Sequence, residues 1–195
     1  MRPPYIFIFF LFLSWAATNT TSKSSGDTYV REACSVTRYQ NLCIRSLSSF
    51  SQLAKKNPSI WARAGVSVTI TDSKNITQFL KNLNKNKAMK GKNKLALSDC
   101  IECFLDAIDN LHKSLGVLRN LDSAKFDDQM SDVITWLSAA LTDEETCLDG
   151  FQEQNDITKQ VRVVLNRVSR TSYITSNALA LANNLASTGL GSFIN

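Results

Sequence analysis

Apolar residues along the chain fall into long helical periods separated by short polar breaks. The clearest run extends from about Lys94 to Leu118, where Leu97, Ile101, Phe104, Ile108, Leu111, Leu115 and Leu118 step by four and three and form one seam. After a short turn at Asn120-Leu-Asp122, the next helix is expected to bury Phe126, Met130, Val133, Leu137, Leu141, Leu148 and Phe151, with Gly150 near its end. A last helix is expected from about Ile157 to Leu185, using Ile157, Val161, Val164 and Val168 and then smaller Thr, Ala and Ser positions. Upstream, Asn57-Pro58 supplies a cap followed by a first-turn proline. The segment after it is mixed: Val66, Val68 and Ile70 alternate as a strand would, while Ile76, Phe79, Leu80 and Leu83 keep a helical period. The neighbouring helices favour helix throughout. Four long helices with short connections and little proline predict an all-α chain folded as an antiparallel four-helix bundle. The bundle is placed at about 57–186.

The N-terminal residues belong to another category. Arg2 precedes an unbroken apolar run from Ile6 to Leu13, and small residues follow at Ser14, Ala16 and Ala17. This is the pattern of a secretory signal, placed at 1–18, and the run is too short to span a bilayer. Residues 19–28 are Thr/Ser-rich without periodicity and read as a disordered lead-in. The mature protein is expected to be soluble, secreted and extracellular. It retains roughly 175 residues, enough for one domain with a substantial core.

Five cysteines in an exported chain imply disulfides with one thiol left over. Two short helical pieces, Tyr29 to Cys34 and Cys43 to Leu47, would bring Cys34 and Cys43 together as a helical hairpin at about 29–52. Closing that loop contributes roughly 3 kcal/mol in the chain-entropy model. In an antiparallel pair, Cys100 and Cys147 stand at nearly the same height on either side of the turn at Leu121, with Cys103 as the rival partner. Cys100-Ile-Glu-Cys103 has redox-pair spacing but sits inside an amphipathic helix rather than in a βαβ setting. His112 is the only histidine, so a metal site lacks its ligands, and a Ser-His-Asp triad would have to use His112, which nothing positions. There is no nucleophile elbow, phosphate loop or glycine-rich fingerprint. The chain reads as a non-enzyme without cofactor or metal.

Charge adds two features. The formal charge of +5 falls to +4 without Arg2, and the excess gathers at Lys81, Lys85, Lys87, Lys90, Lys92 and Lys94. These lysines read first as a solvated loop and otherwise as a weak, non-specific anchor for an anionic polymer. No aromatic residue is interleaved, which argues against nucleic acid. On the acidic side, Glu102, Asp106 and Asp109 share a helix face, and Asp143, Glu144, Glu145, Thr146 and Asp149 crown the end of the next helix. The ordinary reading is solvated helix surface; the functional one is a patch that docks on a complementary protein. Of the two sequons, Asn19-Thr-Thr21 lies at the expected cleavage site, leaving Asn75-Ile-Thr77 as the better glycosylation acceptor.

Taken together, Cys34-Ser-Val-Thr-Arg-Tyr39 with Cys43, Asp99-Cys100-Ile-Glu102, Asp106-Ala-Ile-Asp109-Asn-Leu111, and Ala139 to Phe151 with its Leu-Thr-Asp-Glu-Glu-Thr-Cys-Leu-Asp-Gly core resemble plant invertase/pectin methylesterase inhibitors. Ser176-Asn-Ala-Leu-Ala-Leu-Ala-Asn-Asn-Leu185 resembles the end of their last helix, so the match spans about 28–188. Gln40 stands where the family usually has proline. The resemblance implies an up-down four-helix bundle behind a small helical hairpin, a single inhibitor domain at 29–188, and the pairs Cys34–Cys43 and Cys100–Cys147. Cys103 is then the free thiol, packed as a small hydrophobe. It further implies a one-to-one complex with pectin methylesterase that covers the enzyme's pectin-binding cleft through Glu102, Asp106, Asp109, Thr146 and Asp149. The Pro-Lys-Phe-Asn-like motif of invertase inhibitors is missing after Phe151, and the Leu-Asp-Gly-Phe ending favours the pectin methylesterase branch in its stand-alone form. The alternatives are an acid invertase inhibitor of the same fold, or a secreted helical wall protein that holds polyanions through Lys81 to Lys94.

Overall fold

The computed structural model describes residues 25–152 and 158–190. The signal segment, the first sequon and Ile157 lie outside these residues. Three short helices, α1 (Ser25–Cys34), α2 (Gln40–Leu47) and α3 (Ser51–Ala54), precede four long ones, α4 (Pro58–Lys85), α5 (Gly91–Arg119), α6 (Phe126–Gln152) and α7 (Lys159–Thr188). Helix α1 thus begins four residues inside the stretch expected to be a lead-in. Among the described residues every regular element is helical.

The four long helices form a square. Helix α4 packs on α5 and α7, and α6 packs on α5 and α7, so α4 and α6 are diagonal. Short connections force consecutive helices to run antiparallel. The ambiguous Val66–Ile70 stretch is helical because tertiary burial overrides its strand-like alternation: Val66 and Ile70 are buried and Val68 half-buried. The buried hydroxyl side chains of α4 are accommodated by bonding back one turn, Thr69 Oγ1 to the Gly65 carbonyl at 2.9 Å and Thr77 Oγ1 to that of Ser73 at 2.8 Å. Asn57 caps α4 by accepting from the Ser59 and Ile60 amides. Gly65 lets α4 approach α7 closely, since a Cβ there would lie 3.2 Å from Leu181 Cδ1 and 3.3 Å from Ala178 Cα.

Every member of the α5 seam is buried. Helix α6 departs from expectation. Leu141 and Leu148 are only half-buried, while Ala140, Glu144 and Cys147 occupy the inward positions. The hairpin of α1 and α2 is closed by Cys34–Cys43 and packs with Trp61 and Leu181. It is also clamped to α7: the Tyr39 amide donates to Asn177 Oδ1 and Asn177 Nδ2 donates to the Tyr39 carbonyl, both at 3.1 Å. The Tyr39 and Tyr173 rings stack with centroids 4.1 Å apart. Gln40, the departure from the family pattern, is exposed and donates to the Ser35 carbonyl at 3.2 Å.

Candidate docking face on α5 and α6

Helices α5 and α6 are joined in a fixed antiparallel register. Cys100 and Cys147 form a disulfide with Cα atoms 4.4 Å apart, Ser114 Oγ donates to the Val133 carbonyl at 3.4 Å, and Asn110 Nδ2 donates to Asp143 Oδ2 at 3.4 Å. A Cβ on Gly150 would lie 3.9 Å from Ala96 Cβ. This register puts the acidic row of α5 beside the acidic end of α6.

Glu102, Asp106 and Asp109 on α5, and Thr146 and Asp149 on α6, are all exposed. Asp99 and Glu145 add further exposed carboxylates. Among the described residues none of these acids forms an ion pair. Thr146 Oγ1 donates to the Thr142 carbonyl at 2.8 Å, which leaves its oxygen free to accept. Asp143 is half-buried, and its carboxyl pKa is raised by that burial, with a smaller upward push from Asp106 offsetting part of the Asn110 bond. The patch therefore presents clustered negative charge on two helices pinned together at its centre.

Leu105 was not foreseen. It is 42% exposed between Glu102 and Asp109 on the α5 face, an apolar island within a charged rim, as protein interfaces tend to be built. Its signal in the sequence was a leucine outside the seam, flanked by acids.

Glu144, expected among the exposed acids at the end of α6, is instead fully buried. Its Oε1 accepts from Ser73 Oγ on α4 at 3.3 Å and from Thr175 Oγ1 on α7 at 3.0 Å. Burial pushes its carboxyl up to about 8 against these two bonds. Glu144 is a structural group of the bundle centre, held neutral at mildly acidic pH.

Cys103 is the free cysteine and is half-buried against the core cluster that contains Leu97, Phe104 and Phe151. Its thiol is pushed up by burial first, then by Asp143, and less by Asp106 and Asp99, partly offset by a backbone hydrogen bond. That environment keeps it protonated and unreactive. His112 is exposed on α5. Among the described residues no group of three or more His, Cys, Asp or Glu side chains could hold a metal ion. No helix among them is long and apolar enough to cross a membrane.

The six lysines are exposed at the α4–α5 connection: Lys81 and Lys85 end α4, Lys87 turns with φ of 50°, Lys90 immediately precedes α5, and Lys92 and Lys94 lie in its first turns. They form a solvated collar rather than one loop. Asn75 is exposed on α4, next to Arg167 and Arg170 of α7 and thus off the α5/α6 face.

Comparison with known proteins agrees with this architecture. Residues 28–181 match the family model described as plant invertase/pectin methylesterase inhibitor. The chain is 51% identical over 163 residues to "Pectinesterase inhibitor 6" of Arabidopsis thaliana, covering 84% of this chain and 78% of that one. It is 37% identical to the "21 kDa protein" of Daucus carota, over 85% of this chain and 87% of that one. Among solved structures, a mutant form of a pectin methylesterase inhibitor from Arabidopsis superposes with a TM-score of 0.62 at 21% identity, over 77% of this chain and 92% of that chain, a likeness of fold.

Proposed function

The chain belongs to the plant invertase/pectin methylesterase inhibitor family, and from that membership we propose that it inhibits pectin methylesterase by occlusion, one inhibitor per enzyme. It performs no chemistry of its own; it covers the cleft through which pectin reaches the enzyme. The observation that carries this reading is the α5/α6 face, where Glu102, Asp106, Asp109, Thr146 and Asp149 stand exposed on two helices locked by Cys100–Cys147. Carboxylates without partners on a rigid scaffold bind with little ordering cost. Leu105 supplies an apolar contact at the middle of the face.

Two disulfides among the described residues fit an oxidising compartment. With the apolar N-terminal run, they support export to the cell wall, where the domain at 29–188 would meet its target. Asn75 is the proposed glycan acceptor, and a glycan there would leave the docking face clear. Acid invertase is the alternative target for the same fold. A weak contact of Lys81, Lys85, Lys87, Lys90, Lys92 and Lys94 with pectic polyanions would be non-specific.

The deciding experiment is a titration of the purified mature protein into a pectin methylesterase assay, with acid invertase in parallel. Loss of methylesterase activity at one equivalent, with invertase untouched, is the expected result. Loss of invertase activity alone would move the target, and silence in both assays would remove the docking assignment.

A further inference from the structure

The side of the bundle away from the docking face carries a second site. Helix α2 lies against α7 and α4, and between α2 and α7 opens a cleft of about 760 Å³. Ligand pockets commonly enclose roughly 300–1,000 Å³. Arg38 and Arg45 of the hairpin and Arg170 of α7 line it, and no acidic side chain does. Arg170 is held by Asp72 of α4 at 3.0 Å. Among the described residues Arg38 and Arg45 have no carboxylate partner.

The cleft also has an aromatic wall. Tyr39 and Tyr173 stack at 4.1 Å, Tyr173 remains 40% exposed, and the Arg38 guanidinium stands 5.6 Å from the Tyr39 ring centroid. Asn166 and Ser169 contribute neutral polar groups. The wall is rigid, because both backbone groups of Tyr39 are held by Asn177 and Tyr39 lies within the loop closed by Cys34–Cys43. The two rings and the Asp72-held Arg170 are therefore set in place before any ligand arrives, and the exposed Arg38 and Arg45 supply the unpaired positive charge.

We infer that this cleft binds a carboxylate-bearing sugar chain, a polyuronate, while the α5/α6 face engages the enzyme. Guanidinium forks match carboxylates in shape and charge. Tyrosine faces accept the C–H surface of a sugar ring, and asparagine and serine can reach its hydroxyls. The anionic class rests on the arginines alone. The choice of a sugar polymer rests on the proposed function, because a pectin methylesterase leaves free carboxylates on its polymer. The lysine collar lacks both the rings and the cleft.

The test is titration calorimetry and NMR of the folded protein with an unmethylated oligogalacturonate, the same oligomer fully methyl-esterified, and a neutral oligosaccharide. The unmethylated chain is expected to bind, to weaken as salt rises, and to shift the ring resonances of Tyr39 and Tyr173. The esterified and neutral chains should bind at least about tenfold more weakly. Arg38→Ala with Arg45→Ala should cost at least about tenfold while methylesterase inhibition stays unchanged. Equal binding of esterified and unmethylated chains would overturn the inference. So would an absence of binding, or binding that survives the arginine pair but vanishes when Lys85, Lys87 and Lys90 are replaced by alanine. Lost inhibition with oligogalacturonate binding retained would instead sink the docking assignment and leave an anion site standing.

Discussion

Thr175 on α7 donates its hydroxyl to the carboxyl of Glu144 on α6 at 3.0 Å, in the middle of the bundle and out of reach of water. Ser73 completes the arrangement from α4, so one acid ties three of the four long helices together. Burial raises the Glu144 pKa from 4.5 to about 8. The folded state therefore keeps a proton that the unfolded chain releases above about 4.5. Stability contributed by this group is complete below that pH, and declines by up to about 1.4 kcal/mol per pH unit until the folded carboxyl ionises. Thermal melts should show a Tm that falls from pH 5 toward pH 8. Glu144→Gln keeps the shape and removes the titration, so its Tm should be flatter and exceed that of the parent above pH 8. Parallel Tm profiles for the two proteins would exclude Glu144 as the titrating group.

The second disulfide can be tested against the same bundle. Cys100 and Cys147 are separated by 47 residues, and closing such a loop stabilises by about 4 kcal/mol in the chain-entropy model. Replacing both by serine should lower the urea midpoint accordingly and loosen the two halves of the docking face. Cys103 should remain slow to alkylate in the parent protein, by about tenfold relative to an exposed thiol at neutral pH. Rapid labelling of Cys103 would contradict the burial and acidic surroundings that hold its proton.

The bundle was legible because its seams are strongly periodic, and α5 places all seven seam residues inside. The errors on α6 share one cause. Its buried positions run Phe126, Met130, Val133, Leu137, Ala140, Glu144, Cys147 and Phe151, a continuous four-and-three register that passes through an alanine and an acid. Choosing residues by hydrophobicity instead of register selected Leu141 and Leu148 and sent Glu144 outward. Register alone would have recovered all three. The clamp between Tyr39 and Asn177 was hidden for a different reason: the partners lie 138 residues apart, and no local pattern reports which distant asparagine faces a helix start. The α2–α7 cleft was equally invisible, since its arginines come from separate elements whose packing the sequence does not state.

That clamp makes its own prediction. Asn177→Ala removes two hydrogen bonds and leaves the Tyr39 amide without a partner, while the Tyr39 carbonyl keeps the Cys43 amide at 2.9 Å. The expected cost is about 1–3 kcal/mol, with faster amide exchange confined to α1 and α2. The docking face lies on other helices, so inhibition should persist at temperatures where the variant is folded. Equal exchange rates in parent and variant would show that the stacked tyrosines hold the hairpin without Asn177.

For the docking face, joint replacement of Asp106 by lysine and Thr146 by arginine reverses charge and adds bulk on both helices. Both positions are exposed, so helix content and Tm should be nearly unchanged. Inhibition should weaken by about 100-fold, equivalent to about 2.7 kcal/mol. Leu105→Ala should produce a smaller loss, about tenfold, if its exposed side chain sits in the contact. Full inhibition by the folded double variant would take the complex elsewhere on the surface.

The pH dependence of inhibition tells which chemistry the acidic face meets. Asp143 is half-buried and its carboxyl is already raised by burial and by Asp106. A partner that covers this face removes more water from Asp143 and raises its proton affinity further. The complex should then take up protons as it forms, and affinity should decline from pH 5 to pH 7. Calorimetry in buffers of different ionisation enthalpy measures that uptake directly, and Asp143→Asn should reduce it while preserving the α5–α6 register. Cationic partners in the enzyme would have the opposite effect, holding the carboxylates ionised and releasing protons on binding. A steady gain in affinity toward neutral pH would therefore mean that the face works by charge pairing with a basic surface, not by shared protons with an acidic one.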